Sequence, residues 1–243
     1  MFDWFFMSNS FVSFISDKLL EESIQFLLNK AKEGLVRAQK NPDRNVIDPF
    51  LAFISMSAFG LSPHKWSENE ELRQAGKSLE NALGDFHQKL LGSIDGWDSL
   101  ATGGQVDIVC KSKRIIAEIK NKHNTVKASD KIVIYNKLDK LVNIKSSEYK
   151  DFMAYYVVIT PLKPARFNRE FVPPDSSRGD RASAKDNVRE VDGNTFYELA
   201  TGQKNALKEI FEAMPKVLHK LKKENFSDQY AHALTFFNKA FGE

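Results

Sequence analysis

The 243-residue chain has a single cysteine, Cys110, so no internal disulfide framework exists to support it, and a lone thiol suits a reducing compartment. Long hydrophobic runs are missing as well. The opening MFDWFFMSNSFVSFIS is apolar, but it lacks a basic leading region, and Asp3 and Asp17 flank a stretch punctuated by Ser and Asn, so it reads as neither a secretory signal nor a membrane span. A cytoplasmic protein without a membrane segment is expected. Charge of one sign is scarce: 35 Lys and Arg stand against 32 Asp and Glu, a net of +3. That excludes the strong basic excess of a non-specific nucleic-acid binder, yet leaves room for a basic patch on one face. Repeats and low-complexity segments are absent, and His64, His123, His219 and His232 show no zinc-ligand spacing. What remains is ordinary globular composition, 42% hydrophobic and 28% charged, in a chain long enough to bury a sizeable core.

Apolar residues at helical spacing, Phe14, Leu20, Ile24, Leu27 and Leu28 among them, predict one or two amphipathic helices over 10–38. NPDRN at 41–45 breaks them. Asp48-Pro49 supplies an N-cap and a first-turn proline for FLAFISMSAF. Pro63 marks another break, and a long helix is expected over 68–91, where Leu72, Ala75, Leu79, Leu83, Phe86 and Leu90 recur at spacings of three and four. After Gly92 the character changes. QVDIVCK (105–111) and RIIAEIK (114–120) are short, rich in β-branched residues and separated by Ser112-Lys113, the pattern of a hairpin. A polar helix follows over about 130–145, then MAYYVVIT (153–160) as a buried strand, then a long loop rich in Pro, Ser and Arg over 161–192. Thr195 and Glu198 form a capping box for a short helix, and helices over 203–223 and 227–241, the latter capped by Ser227, end the chain. The expected fold is one α/β domain: a helical N-terminal addition (1–66), a core with a small mixed central sheet (67–215) and C-terminal helices (216–243).

The hairpin carries the chemistry. A symmetric loop between Ser112 and Lys113 pairs Val106 with Ile119, Ile108 with Ala117 and Cys110 with Ile115, a wholly apolar face. The same register sets Asp107 opposite Glu118 and Gln105 opposite Lys120 on the other face, with Cβ atoms about 4.5–5.5 Å apart. Facing carboxylates repel, so they call for a cation. A hard divalent ion such as Mg²⁺ binds carboxylate oxygens and activates water, and Lys120 is placed to position that water and offset charge on a phosphate. Gln105 or the Ile119 carbonyl would complete the shell. The bland alternative is a solvated edge hairpin with neutralising lysines. Against it, Val109 and Ile116 lie on the supposedly exposed face, so some other element must cover that face.

VDIV followed by IAEIK resembles the D…(D/E)-x-K signature of the PD-(D/E)XK nucleases, with Val106 where a proline often stands. GDFHQKLLGSIDGW (84–97), TGGQVDIV to AEIKNKHNT (102–125) and VREVDGNTFYELATG (188–202) are similar to the bacterial type II restriction endonucleases that recognise GGNCC. The resemblance spans about residues 40–215. It implies a PD-(D/E)XK core, Mg²⁺, double-stranded DNA as substrate, a homodimer and staggered cleavage. It also implies Asp107 and Glu118 as metal ligands and Lys120 as the third catalytic residue. Members of this superfamily often add an acid from a preceding helix, for which Glu80 is the candidate, with a solvated flank position as its alternative.

Other candidates concern DNA. His87 and Gln88 end the long helix, beside the site or in polar packing. Lys122 and Lys127 follow the catalytic strand as phosphate contacts or solvated residues. Lys216, Lys220, Lys222 and Lys223 read as a solvated helix face. The 161–192 stretch offers Arg178, Asp180, Arg181, Lys185, Asp186 and Arg189 for base recognition, since Arg and Lys suit guanine and acids suit cytosine N4; an unrelated surface loop is the alternative. Two other functions remain open at this level: a structure-specific repair or recombination nuclease, and a catalytically silent DNA-binding protein.

Overall fold

The computed structural model describes residues 10–41, 46–100, 103–177 and 179–242. Among them the order is α1 (Asp17–Lys40), α2 (Pro49–Phe59), α3 (Pro63–Leu91), β1 (Asp98–Ser99), β2 (Ile108–Cys110), β3 (Ile115–Lys122), α4 (Ala128–Asn143) and β4 (Met153–Thr160). It continues with β5 (Asn168–Glu170), β6 (Pro174–Asp175), β7 (Asp180–Arg181), β8 (Val188–Asp192), α5 (Gly193–Thr201), α6 (Ala206–Lys222) and α7 (Ser227–Phe241). Two compact units result. One, Ile24–Phe86, is built from helices; the other takes the remaining chain and holds the sheet.

Six strands form a mixed sheet in the order β1-β2-β3-β4-β8-β5, and β6 pairs with β7 as a separate ribbon. β1, β2 and β3 are antiparallel neighbours; β3, β4 and β8 run parallel; β5 closes the far edge antiparallel to β8. Parallel β3 and β4 require a crossover, which α4 provides. β4 lies in the middle with helices on both sides, which is why MAYYVVIT has no polar alternation. On one face α4 lays Tyr135, Leu138 and Val142 over Val109, Ile116, Ala154, Tyr156 and Val188. This is the cover that Val109 and Ile116 demanded. On the other face, Phe196 of α5 meets Tyr155 and Trp97 edge to face, at centroid distances of 5.7 and 5.5 Å.

The hairpin register agrees with expectation: Ile108 pairs with Ala117, Val109 with Ile116 and Cys110 with Ile115. Its loop is longer, because Lys111–Arg114 all turn, with Arg114 left-handed at φ 54. The ladder also stops at Ile108. Val106 therefore joins the cluster around Val109 and Ile116 rather than the Ile108 face. Residues 161–192 are not one long loop, since they contain β5 through β8. The charged run VREVD hid a strand whose Val188 and Val191 are buried, while Arg169 pairs with Glu190 across the edge at 2.7 Å. Pro63 opens α3 rather than delaying it to 68, in keeping with proline's preference for the first helical turn.

Two caps also differ. Ser227 is the first residue of α7 rather than its cap, and its N–H is accepted by the Asn225 side chain at 2.9 Å. Asp192, not Thr195, caps α5, accepting the Thr195 N–H at 3.0 Å. Its second oxygen takes the Phe167 N–H at 2.6 Å, so one buried carboxylate ties the end of β8 to the segment leading into β5. Gly193 follows because α5 crosses the end of β4 so closely that a Cβ there would stand 2.4 Å from the Ile159 carbonyl oxygen. Asp192→Ala leaves two backbone N–H groups without their partner and should cost roughly 2–4 kcal/mol. The check is a lower urea midpoint at unchanged m; a midpoint within error of wild type would contradict this role.

Candidate active site

β3 carries Glu118 and Lys120 on one face, since alternate residues of a strand point the same way. Asp107 arrives from just outside β2. Its N–H bonds the Ala117 carbonyl at 3.1 Å, and its Oδ2 accepts the Ile119 N–H at 2.6 Å. The carboxylate thus takes the place of a strand carbonyl and is locked against β3. Glu118 is 8% exposed. Its Oε1 accepts from Lys120 Nζ at 2.9 Å and its Oε2 from Lys137 Nζ, on α4, at 3.0 Å. The buried acid therefore has an ammonium on each oxygen.

The two carboxyls are pushed in opposite directions. Burial, and then the nearby Glu118 charge, raise the Asp107 pKa, against the Ile119 hydrogen bond and the two lysines. Burial also works against the Glu118 charge, but Lys120 and Lys137 together outweigh it and hold that carboxyl below its usual range. Two carboxylates in one recess, one of them raised by the other, form a hard-oxygen donor set that suits a divalent cation. Among the described residues no group of three or more His, Cys, Asp or Glu is placed to hold a metal.

The same sheet face continues past the acids. Glu118 pairs with Tyr156, Tyr156 with Glu190, and Glu190 with Arg169, a row of four strands that spans about 14 Å at normal strand spacing. The Tyr156 hydroxyl is buried and has no hydrogen-bond partner among the described residues. Phe171 stacks on its ring at 4.5 Å and Lys131 Nζ sits 5.7 Å from the ring centroid. Beyond it opens a cavity of about 320 Å³ whose charged lining includes Lys131, Arg169, Arg181, Glu170 and Glu190. On the other side of the acids, Gln105 and Lys137 border a groove of about 530 Å³ along α4.

The remaining candidates separate by their partners. Lys185 is bound to Asp139 of α4 at 2.5 Å. Arg189 clasps β5 through the Asn168 side chain and carbonyl at 2.5 and 2.7 Å. Arg181 is exposed on β7 and lines the basic cavity; Lys127 is exposed at the start of α4; Lys122 ends β3 beside Thr160. Arg178 lies outside the described residues. His87 is buried, bonded to the Tyr197 hydroxyl of α5 at 2.9 Å, and burial pushes its pKa down to about 4, so it is a neutral interior residue. Gln88 beside it is half-buried. Glu80 belongs to the helical unit, where its carboxylate stands 3.6 Å from Lys77.

Lys137, Lys131, Tyr156, Arg169 and Glu190 were missed from sequence. A signal for Lys137 existed: once a helix had to cover Val109 and Ile116, a lysine flanking its Tyr135–Leu138–Val142 stripe was the natural counter-ion for an acid on that face.

With this geometry in place, comparison with known proteins is direct. A family model described as Eco47II restriction endonuclease matches residues 12–223. The type II restriction enzyme Eco47II of Escherichia coli is 40% identical over 220 residues, covering 90% of this chain and 92% of its own. The type II restriction enzyme Sau96I of Staphylococcus aureus is 31% identical over 216 residues, 87% of this chain and 81% of its own. The class is that of type II restriction endonucleases, which are site-specific deoxyribonucleases. This chain belongs to the Eco47II restriction endonuclease family.

The opposed shifts give a signed prediction for the metal-free protein. A raised Asp107 makes its ionised form costly to the fold, a cost that appears as pH rises through its own pKa. A depressed Glu118 contributes stability that is present above the unfolded carboxylate pKa and lost as pH falls through its folded value. At pH 7 without divalent ions, Asp107→Asn should therefore unfold later than wild type, the gain fading as pH falls towards the ordinary aspartate range. Glu118→Gln should lose about 1.5–3 kcal/mol, the worth of a hydrogen bond to a charged group. Urea titrations across pH 3–8 read both; shifts of the same sign at neutral pH would remove the electrostatic account.

Proposed function

We propose that this restriction endonuclease hydrolyses phosphodiester bonds with Asp107, Glu118 and Lys120 on a PD-(D/E)XK core, using Mg²⁺, and cuts double-stranded DNA at GGNCC as a cytoplasmic homodimer. The observation that carries the catalytic part is the Asp107–Glu118 recess with Lys120 bound to Glu118. The GGNCC specificity, the homodimer and Mg²⁺ are supported by the sequence resemblance, and Mg²⁺ also by the hard-oxygen donor set. No helix of the described residues is long and apolar enough to cross a membrane.

A bound Mg²⁺ would supply an activated water and neutralise charge on the scissile phosphate. Asp107 and Glu118 would hold it, with Asp107 fixed in advance by the Ile119 N–H. The Glu118 oxygen that takes the metal must first release its ammonium. A DNA phosphate offers either ammonium another anion, so Lys120 turns towards the reacting group and Lys137 towards the backbone. Glu80 stays a proposed additional acid. In 161–192, Arg178 and Arg181 are the proposed base readers, with Arg181 beside Lys131 and Arg169 on the cavity wall. Lys122 and Lys127 are proposed phosphate contacts. Lys185 and Arg189 hold the segment in place for them.

Digestion of a plasmid of known sequence should give fragments ending at GGNCC with Mg²⁺ or Mn²⁺, while Ca²⁺ supports binding without turnover. Asp107→Ala, Glu118→Ala and Lys120→Ala should each lose several orders of magnitude in cleavage, since no neighbour replaces a lost ligand. Wild-type cutting by Glu118→Ala would overturn the assignment; cleavage of branched DNA without a fixed fragment pattern would favour a structure-specific nuclease.

Specificity has its own test in competition binding with Ca²⁺, using GGNCC and single-base variants. Arg181→Ala should lose about 1–3 kcal/mol of discrimination at a guanine. Lys127→Ala should weaken every sequence alike and flatten the salt slope by about one unit. An unchanged ratio of specific to non-specific affinity in Arg181→Ala would move recognition elsewhere.

A further inference from the structure

Helix α2, PFLAFISMSAF, contains no charged residue, and none of its residues is buried. Phe50, Leu51, Phe53, Ile54 and Phe59 are between 61% and 81% exposed. This is not a fraying segment. Asp48 accepts the N–H groups of Phe50 and Leu51 at 2.9 and 3.2 Å, Pro49 occupies the first position, and Gly60 closes the helix in the left-handed region at φ 62, donating to Met56. Trp66 of α3 donates its indole N–H to Ser55 at 2.8 Å and fastens the helix from behind. A helix fixed at both ends that presents a mostly apolar and wholly uncharged surface to water, with Ser57 as its one fully exposed polar side chain, is a docking surface.

We propose that α2 is the self-association surface of the enzyme, packing against α2 of a second copy about a two-fold axis. This rests on the homodimer reading above and supplies the contact it needs. The described chain shows one Asp107–Glu118–Lys120 set, and a two-stranded cut at a palindrome needs two, so the partner that function calls for is another copy. Near the axis of a two-fold contact each residue meets its own copy, where a charge would repel its equal; α2 has no charge to repel. Its size is also suitable. At roughly 150–250 Å² per large side chain and about two-thirds exposure, Phe50, Leu51, Phe53 and Ile54, which share one side of the helix, offer on the order of 500 Å², more than half of the roughly 800 Å² that each partner contributes to a standard interface. A lipid surface fits less well, because membrane-surface helices carry a basic polar face and α2 has none.

The test uses the full chain without metal or DNA, and two double variants, Leu51→Glu/Ile54→Glu and Leu51→Lys/Ile54→Lys. Sedimentation should give wild type twice the 27.7 kDa chain mass. Each variant should fall to the single-chain mass with an unchanged far-ultraviolet circular dichroism spectrum. A 1:1 mixture of the two should recover the dimer mass, because only a surface meeting itself brings the acidic helix against the basic one. Dimeric variants, or a mixture that stays monomeric, would overturn α2 as the contact while leaving the homodimer intact. Wild type that is monomeric both alone and on a GGNCC duplex in Ca²⁺ would instead remove the homodimer reading. Co-sedimentation of wild type with phosphatidylcholine–phosphatidylglycerol vesicles, lost in both variants, would assign the helix to lipid and overturn the proposal.

Discussion

Two carboxylates held in one recess of a sheet cannot both be ionised without compensation, and much of the sheet-bearing unit is arranged around that constraint. Asp107 is pinned by a backbone N–H, so it cannot relax away from Glu118. Glu118 is buried and therefore depends on Lys120 and Lys137. Lys137 reaches it only because α4 crosses over that face between β3 and β4, and α4 stays there because Tyr135, Leu138 and Val142 fill the layer above Val109 and Ile116. Hydrophobic packing and the charge arrangement are one design. The helix that seals the core also delivers the counter-ion, and loosening either would strain the other.

The hairpin was legible because one rule decided it. A one-residue slip would have turned Ile108, Cys110, Ala117 and Ile119 to the wrong face, so hydrophobicity alone selected the register that brings Asp107 to Glu118. Reading the same alternation outward to Val106 failed, since the ladder ends where the Asp107 side chain replaces a strand carbonyl, a substitution that no alternation pattern records. β4 was legible for the opposite reason: a strand buried on both faces is simply apolar. β8 was not, because three of its five residues are charged and find their partners far away in sequence, Arg189 at Asn168 and Glu190 at Arg169. Lys137 was invisible as a site residue because its partner lies nineteen positions away on another element. The role of Asp192 was hidden behind the local Thr195–Glu198 capping pattern, since a cap that also binds Phe167 is a tertiary feature.

The basic residues after β4 divide by what already holds them. Lys185 and Arg189 are bound within the chain, to Asp139 and Asn168, so their loss would also loosen that segment. Arg181 is exposed on a two-residue strand, with Lys131 and Arg169 around the same cavity. Arg169 is only partly available, because Glu190 holds it at 2.7 Å. With a net charge of only +3, affinity for a polyanion depends on such local groupings rather than on the overall charge. The row Glu118–Tyr156–Glu190–Arg169 joins this grouping to the acids through one continuous sheet.

On the proposed mechanism, the pairing that makes a buried Glu118 tolerable also restrains catalysis. Both of its oxygens carry an ammonium in the metal-free protein, and each such charge-assisted hydrogen bond is worth about 1.5–3 kcal/mol. Releasing one of them unaided would lower metal affinity by about 10- to 150-fold, at 1.4 kcal/mol per factor of ten. A phosphate that accepts the released ammonium returns most of that free energy, so metal and DNA bind more strongly together than separately. The coupling acts through Lys120 and Lys137 and needs no movement of the sheet. It makes a correctly seated phosphate a condition for assembling the reactive site, which is what an enzyme sharing a cell with abundant non-cognate DNA requires.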